Sequence, residues 1–348
     1  MFGNAPAQRI DSVKSLRKLI AEPPAMMKKR LQTQIDDYCL TLIEKASVCA
    51  VGFLDPRLDI TFFNLRDQPV AVAEGDRIAL AWPTEKPLPT VLENSQALAC
   101  SLYFILPGIG FALRANGHAR WVPDAQGARL EFRAAALFLH CSRAKVRAQF
   151  WQPREAEPTP SGATAGAELS DEALGFIARS PYLLVLSHNG AGATELSPRG
   201  DPEGFVLAAD RRTLLIPERP GNKVACTLSN IIEAGAATAA FLIPGSSTVL
   251  SVTGSAWLTA ERSQLEPLAV NGKVPVVAIA LQVERFAFNH CPELVEAGLW
   301  CTDTHLRESD VPSFPKMLSE HMNGRGLLGK ATTLVVDAVV KHDLKNLY

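Results

Sequence analysis

FILPG at residues 104–108 returns as FLIPG at 241–245, 137 residues further on, and the reading of the fold starts from that return. Gly117 in LRANGHARW and Gly254 in LSVTGSAWL keep the same spacing. LFLHC at 137–141 then answers to FAFNHC at 286–291, which sets His140–Cys141 and His290–Cys291 150 apart. Trp151 and Trp300 close the two stretches, 149 apart. Four matches in one order mark an internal duplication. The growing offset assigns about thirteen extra residues to the second copy, within ERSQLEPLAVNGK at 261–273.

Between the copies, QPREAEPTPSGATAGAELSDE (152–172) is rich in Pro, Ala, Ser, Thr and Gly and lacks apolar periodicity, so it reads as a linker. The expected organisation is a helical arm over 1–36, a first copy over 37–151, a linker over 152–171, a second copy over 172–301 and a second helical arm over 302–348. Val13, Leu16, Leu19 and Ile20 predict one amphipathic helix, with Asp11 as its cap. Met27, Leu31, Ile35, Tyr38 and Leu42 predict a second helix after Pro23 and Pro24. Ser170 is placed to cap a short helix over DEALGFIAR, and Ser313 to cap one over FPKMLSEHMN that ends before Gly324. Inside each copy, short β-rich runs such as YLLVLS, TLLIP and TAAFLIP alternate with the turn signals HNGAG, DPEG and ERPGN. Five or six antiparallel strands with one or two helices predict a small closed or partly open barrel in each copy, a mainly β, α+β architecture. Long helical crossovers are missing, which argues against a parallel α/β sheet.

Composition narrows the function. With 35 Lys+Arg against 36 Asp+Glu the net charge is −1, so nucleic acid is not an expected partner. The longest apolar runs, such as Val274–Leu281, are far short of a membrane span, and the N-terminus carries no apolar signal region. Seven scattered cysteines without a CxxC pair read as reduced thiols in a cytoplasmic protein. His290, Cys291 and Cys301 fit no common zinc spacing, and no metal is expected.

GRGLLG (324–329) satisfies GxGxxG formally, but a predicted helix precedes it and no βαβ unit has room to follow. GxSxG, HExxH and Walker A patterns are absent, and nothing marks a catalytic triad. The informative stretch is ATELSPRGDPEGFV (193–206) with TLLIPERPGNKVACTLSNII (213–232). Arg199, Arg219, Asn222, Lys223, Thr227 and Ser229 converge there if a strand end meets a helix start, and such donors suit a phosphate. A solvated loop with surface arginines is the plain alternative on composition alone.

SPRGDPEGFV, LLIPERPGNK, FLIPG, the VTG strand and NHCPELVEAGLW resemble the pyridoxamine 5′-phosphate oxidase-like FMN-binding split-barrel family. The likeness is greatest to its bacterial flavoprotein branch with SPRGD and RPGN signatures. SLRKLIAEPPAMMKKRL and DVPSFPKMLSEH are similar to that branch's terminal arms. The resemblance implies tandem split β-barrels that mimic a homodimer within one chain, with FMN at the interface and room for further homo-oligomerisation. It implies that Leu196, Ser197, Pro198 and Arg199 face the flavin, that Ile216 and Pro217 line its ring, and that Asn222 and Lys223 hold its phosphate. Arg219 and Thr227 are further candidates. Many members carry arginine where this chain has Asn222. The implied function is FMN-dependent oxidoreduction of a small molecule, with no residue declared as acid or base. The alternatives are the same fold with F420 or haem, or a flavin-binding scaffold without turnover.

The first copy departs from this pattern. At an offset of 135, Phe62 stands for Ser197 and Asn64 for Arg199, and PTEKPLPTV (83–91) with Lys86 replaces PERPGNKVA. It is expected to supply a wall and not a second phosphate site, giving one FMN per chain. His140 and His290 are taken as equivalent, in packing or in chemistry.

Overall fold

The computed structural model describes residues 9–348 except 56, 68–69, 74, 82–96, 125–126 and 156–163. The segment PTEKPLPTV therefore lies outside the described residues. The chain opens with β1 (Arg9–Ile10), α1 (Val13–Leu19), a 3₁₀ segment Ala25–Arg30 and α2 (Asp37–Lys45). A first sheet follows: β2 (Val48–Asp55), β3 (Arg57–Asn64), β4 (Ala71–Ala73), β5 (Arg77–Ala81), β6 (Leu98–Ile105), β7 (Ala112–Asp124) and β8 (Gly127–His140). α3 (Arg143–Arg147), β9 (Ala165–Gly166) and α4 (Asp171–Arg179) lead to the second sheet. Its strands are β10 (Tyr182–His188), β11 (Thr194–Gly200), β12 (Leu207–Asp210) and β13 (Thr213–Pro217). They continue through α5 (Cys226–Ala234), β14 (Ala236–Leu242), β15 (Thr248–Thr259), α6 (Arg262–Leu265) and β16 (Ala278–His290). α7 (Glu293–Glu296), α8 (Phe314–Asn323) and α9 (Leu327–Lys345) end the chain.

The chain is mainly β, with helices packed on and between the sheets. The first sheet runs β3-β2-β6-β7-β8-β5-β4 and the second β11-β10-β14-β15-β16-β13-β12, with β1 added on β15 and β9 on β16. Strand for strand the two orders are the same. Each sheet has a bulge at one matched point, between Asn116 and Gly117 and between Thr253 and Gly254. A Cβ on Gly117 would meet the Arg133 carbonyl oxygen at 2.0 Å, and one on Gly254 the Gln282 carbonyl oxygen at 1.8 Å, so only glycine fits.

Among the described residues, three large apolar clusters and a smaller one around Leu215, Leu265 and Leu268 hold the fold. One lies under the first sheet around Leu42, Phe104 and Phe132, and one under the second around Phe176, Leu214 and Phe241. The third joins the sheets, with Phe62, Tyr103 and Phe150 against Tyr182, Leu186 and Trp300. Tyr103 and Tyr182 hydroxyls bond at 2.8 Å inside this seam. A Cβ on Gly52 would come within 2.6 Å of Leu186, which shows how closely the sheets approach.

Strand register corrects several expectations. Tyr182 faces Leu242 and Gly200, while Val48 faces Ile105 and Asn64, so Asn64 answers to Gly200 and Phe63 to Arg199. Thr61, and not Phe62, answers to Ser197. Likewise Ala112 faces His140 where Val249 faces Asn289, so His140 matches Asn289 and not His290. A one-residue slip moves a side chain to the other sheet face, which is why such offsets matter. Register also sets the extra length of the second sheet at twelve residues, spent on α6 and a 3₁₀ turn between β15 and β16.

Helix ends follow local chemistry. Ser170 accepts from Ala173 N–H at 3.2 Å, and α8 begins after Ser313 and stops at Gly324 with φ 75°. α1 is capped by Ser12 and not by Asp11, through Ser15 N–H. The predicted helix over 27–42 is broken, because Gln32 bridges Leu137 through both backbone groups and Asp36 caps α2 through Cys39 N–H. None of the seven cysteines forms a disulfide. His290, Cys291 and Cys301 do not cluster; among the described residues the one group with metal-compatible spacing is Asp36, Cys39 and His321. There His321 bonds Asp36 at 2.9 Å and ties α8 to the start of α2. No described helix is long and apolar enough to cross a membrane.

Candidate functional site

A cavity of about 560 Å³ opens where β11 and the turn after β13 meet β7, β8 and α3 of the first sheet. β11 supplies its floor by strand alternation, since Glu195, Ser197 and Arg199 share one face. Leu196, on the other face, is fully buried in the seam between the sheets and does not line the cavity. Ile216 likewise packs into the second core, while Pro217 beside it reaches the wall. Of the sequence candidates, Ser197, Pro198, Arg199, Pro217, Arg219, Asn222, Lys223 and Thr227 are brought together here.

The turn from Pro217 to α5 is held in shape by its own polar groups. Asn222 Oδ1 accepts from Val224 N–H at 3.0 Å. Arg17 of α1 donates to the carbonyls of Lys223 at 2.8 Å and Val224 at 2.9 Å. Lys223 and Ala225 sit at φ 62° and 59°, a left-handed conformation that turns the chain sharply into the helix. Ala225 caps α5 without a side-chain acceptor, so the helix presents its first N–H groups and dipole to the cavity.

The opposite wall was not legible in the sequence. Arg114 of β7, Phe138 and His140 of β8, Arg143 and Arg147 of α3, and Arg30 of the N-terminal segment all line it. Arg114 donates to Glu195 at 2.5 Å and to Ser197 Oγ at 3.1 Å, which joins the sheets across the cavity. Its Nη1 lies 3.4 Å from His140 Nδ1. A guanidinium can only donate, so Nδ1 accepts and the neutral imidazole carries its proton on Nε2. Burial holds the His140 pKa well below the usual histidine range, and the charges of Arg114, Lys145, Arg30 and Arg199 add to the effect.

Two predicted ligands already carry a carboxylate partner. Arg199 is ion-paired with Glu218, and Arg219 bonds the fully buried Asp201 at 2.5 Å. The end of the chain also enters the cavity. Arg143 and Arg147 donate to the carbonyls of Asn346 and Leu347, both at 2.9 Å, and Lys273 to that of Tyr348 at 2.7 Å. Tyr348 donates its hydroxyl to Asp201 at 2.5 Å, with its ring under both Arg147 and Arg219. Eight basic side chains line the cavity against two carboxylates, Glu195 and Glu218. Among the described residues, Nε of Arg30, Arg114, Arg143 and Arg199 and one terminal nitrogen of Arg219 are buried without a partner. Buried donors left open in this way suit an anionic ligand.

No protein-family model and no curated protein matches the chain. Among solved structures it is similar to HupZ from Group A Streptococcus, with 18% identity over 35% of this chain and 94% of that one, TM-score 0.30. It is similar to a putative pyridoxamine 5′-phosphate oxidase from Lactobacillus delbrueckii, with 15% identity over 35% and 94%, TM-score 0.28. PhzG from Burkholderia lata, solved with tetrahydrophenazine-1-carboxylic acid, follows at 9% identity over 32% and 72%, TM-score 0.23. At these scores the likenesses assign the chain to no family.

Proposed function

We propose that the chain is a tandem pair of split barrels that binds FMN in this cavity and acts as an FMN-dependent oxidoreductase on a small molecule. The supporting observation is the cationic cavity itself, which gathers Ser197, Arg199, Asn222, Lys223 and Thr227 at an uncapped helix start. Its volume falls within the range of about 300–1000 Å³ common for cofactor and ligand sites. The residues fit the group: basic side chains outnumber carboxylates in the lining, and the α5 N-terminus favours a phosphate. Lys223, Asn222 and Thr227 would hold the phosphate, with Ser197, Arg199 and Pro217 along the ring. Bound FMN would supply hydride and electron chemistry. The protein contributes the enclosing wall of Phe138 and His140, a neutral imidazole with its proton on Nε2, and a positive field from the surrounding arginines.

The same reading assigns one flavin per chain. At the position of Arg199 the first sheet has Phe63, which is buried, and at the position of Arg114 the second sheet has Ser251. Flavin released by denaturation after reconstitution, divided by protein, tests both points. A ratio near one supports the reading, and a ratio near two or near zero overturns it. Haem is the second reading, favoured by one observation, that His140 stands in the cavity wall. The visible spectrum of the reconstituted protein separates the two.

A further inference from the structure

Arg30 and Arg114 come from segments that the flavin reading leaves unassigned, yet both end beside the start of α5. Arg30 closes the 3₁₀ segment, and its guanidinium lies over the Phe138 ring at 5.1 Å to the centroid. Arg114 lies over the same ring at 4.8 Å. They are 6% and 4% exposed, and Nε of each is buried with no partner among the described residues. Glu195 is the carboxylate at this end of the cavity, and Arg114 and Asn116 already occupy its two oxygens. Among the described residues no carboxylate bonds Arg30, whose Nη1 donates only to the Met27 carbonyl at 2.8 Å. Cys226, the first residue of α5, lines the same cavity as Arg30, Arg114 and Glu195.

Burying two cations beside a single carboxylate is costly, and the fold does so here beside a helix N-terminus that is positive in its own right. Arg30 and Arg114 share one carboxylate, Glu195, while Lys223 stands at the rim and α5 adds about half a positive charge. That sum matches a doubly charged phosphate better than a carboxylate.

We propose that Arg30 and Arg114, with the first turn of α5, form a subsite for a phosphate monoester. The proposal rests on the cavity being a ligand site and deepens the flavin reading by naming residues outside the second sheet. The phosphate belongs either to the cofactor or to the substrate, and the test distinguishes them. Arg30→Met keeps the stem over Phe138 and removes the charge. If the phosphate is the cofactor's, this variant binds FMN at least tenfold more weakly while riboflavin affinity is unchanged. If it is the substrate's, FMN affinity is unchanged and phenyl phosphate, titrated calorimetrically into the flavin-loaded protein, binds at least tenfold more weakly than to the wild type. Arg30→Lys restores part of either loss, which a merely structural defect would not allow. Unchanged affinity for all three compounds, or equal losses for FMN and riboflavin, overturns the proposal. If the wild-type chain binds no flavin, the flavin reading fails by itself. Phenyl phosphate titrated into the flavin-free protein then decides the subsite: a tenfold loss in Arg30→Met supports it, and no difference overturns it.

Discussion

The seam where β11 meets α3 and the seam where β3 meets α7 are built on matched strand registers and carry different chemistry. The first holds Arg114, His140 and Arg147 where the second holds Ser251, Asn289 and Glu296. Across from them stand Ser197 and Arg199 on one side and Thr61 and Phe63 on the other. Lys145, buried behind the first seam, has Leu294 as its counterpart. A symmetric dimer repeats each interface residue in both sites, so neither site can lose its charges alone. Two sheets joined in one chain are free of that constraint. One seam can keep a cationic cavity while the other carries Ser251, Asn289 and Glu296 at the matched positions.

The comparison breaks first, and most sharply, on Arg114. Arg114→Met leaves Glu195 buried and short of its partner, with an expected cost of about 3–5 kcal/mol in urea unfolding. Ser251→Ala, at the matched position, is expected to cost under about 1 kcal/mol. Similar costs would mean that the charge difference between the seams has no energetic meaning. Next comes Arg199→Ala, which should weaken FMN binding by about ten- to hundredfold through loss of a charge-assisted contact. Phe63→Leu, its counterpart, should leave flavin affinity as it was; a flavin titration of both variants reads the difference.

A pH series sharpens the contrast between Lys145 and Leu294. Burial pushes the Lys145 pKa down to about 7, although its ammonium donates to the Ile109 and Phe111 carbonyls at 3.1 and 3.3 Å. Above that pH the folded state has released a proton that the unfolded chain keeps until its ordinary lysine value. The Lys145 contribution to stability should therefore rise with pH from about 7 to about 10.4, by at most about 1.4 kcal/mol per unit. Lys145→Met should flatten that rise and Leu294→Met should not, as thermal unfolding across the range would reveal. A smaller effect is expected from Lys223→Ala, about a tenfold loss for FMN with little change for riboflavin. Equal losses would remove Lys223 from the phosphate. The smallest concerns the chain end: removing residues 346–348 frees donors of Arg143, Arg147 and Lys273. FMN should then bind roughly threefold more tightly, and weaker binding would make the segment part of the site.

Much of the fold was legible because its signals are local. FILPG and FLIPG sit in and just after the matched strands β6 and β14, and the glycines 137 apart sit at the two bulges. Ser170 and Gly324 end helices through contacts a few residues long. Aligning the copies by letters alone erred by one residue at Asn64 and at His290, since similar letters do not record which carbonyl a strand residue faces. The second wall of the cavity left even less trace. A buried arginine in an apolar strand, such as Arg114 in FALRANG, hints at an internal ion pair, but its partner Glu195 lies 81 residues away.

The residues by themselves determined where strands turn and where helices such as α4 and α8 start, because these depend on neighbours in sequence. Only the tertiary structure decided that Leu196 and Ile216 point into cores, and that Asp201 and Glu218 engage Arg219 and Arg199. It alone placed Arg30, Arg114, His140 and Tyr348 around one cavity. The reason is physical: a charge acts over a few ångströms of space, and chain order does not record which distant segments the packing of two sheets brings within that reach.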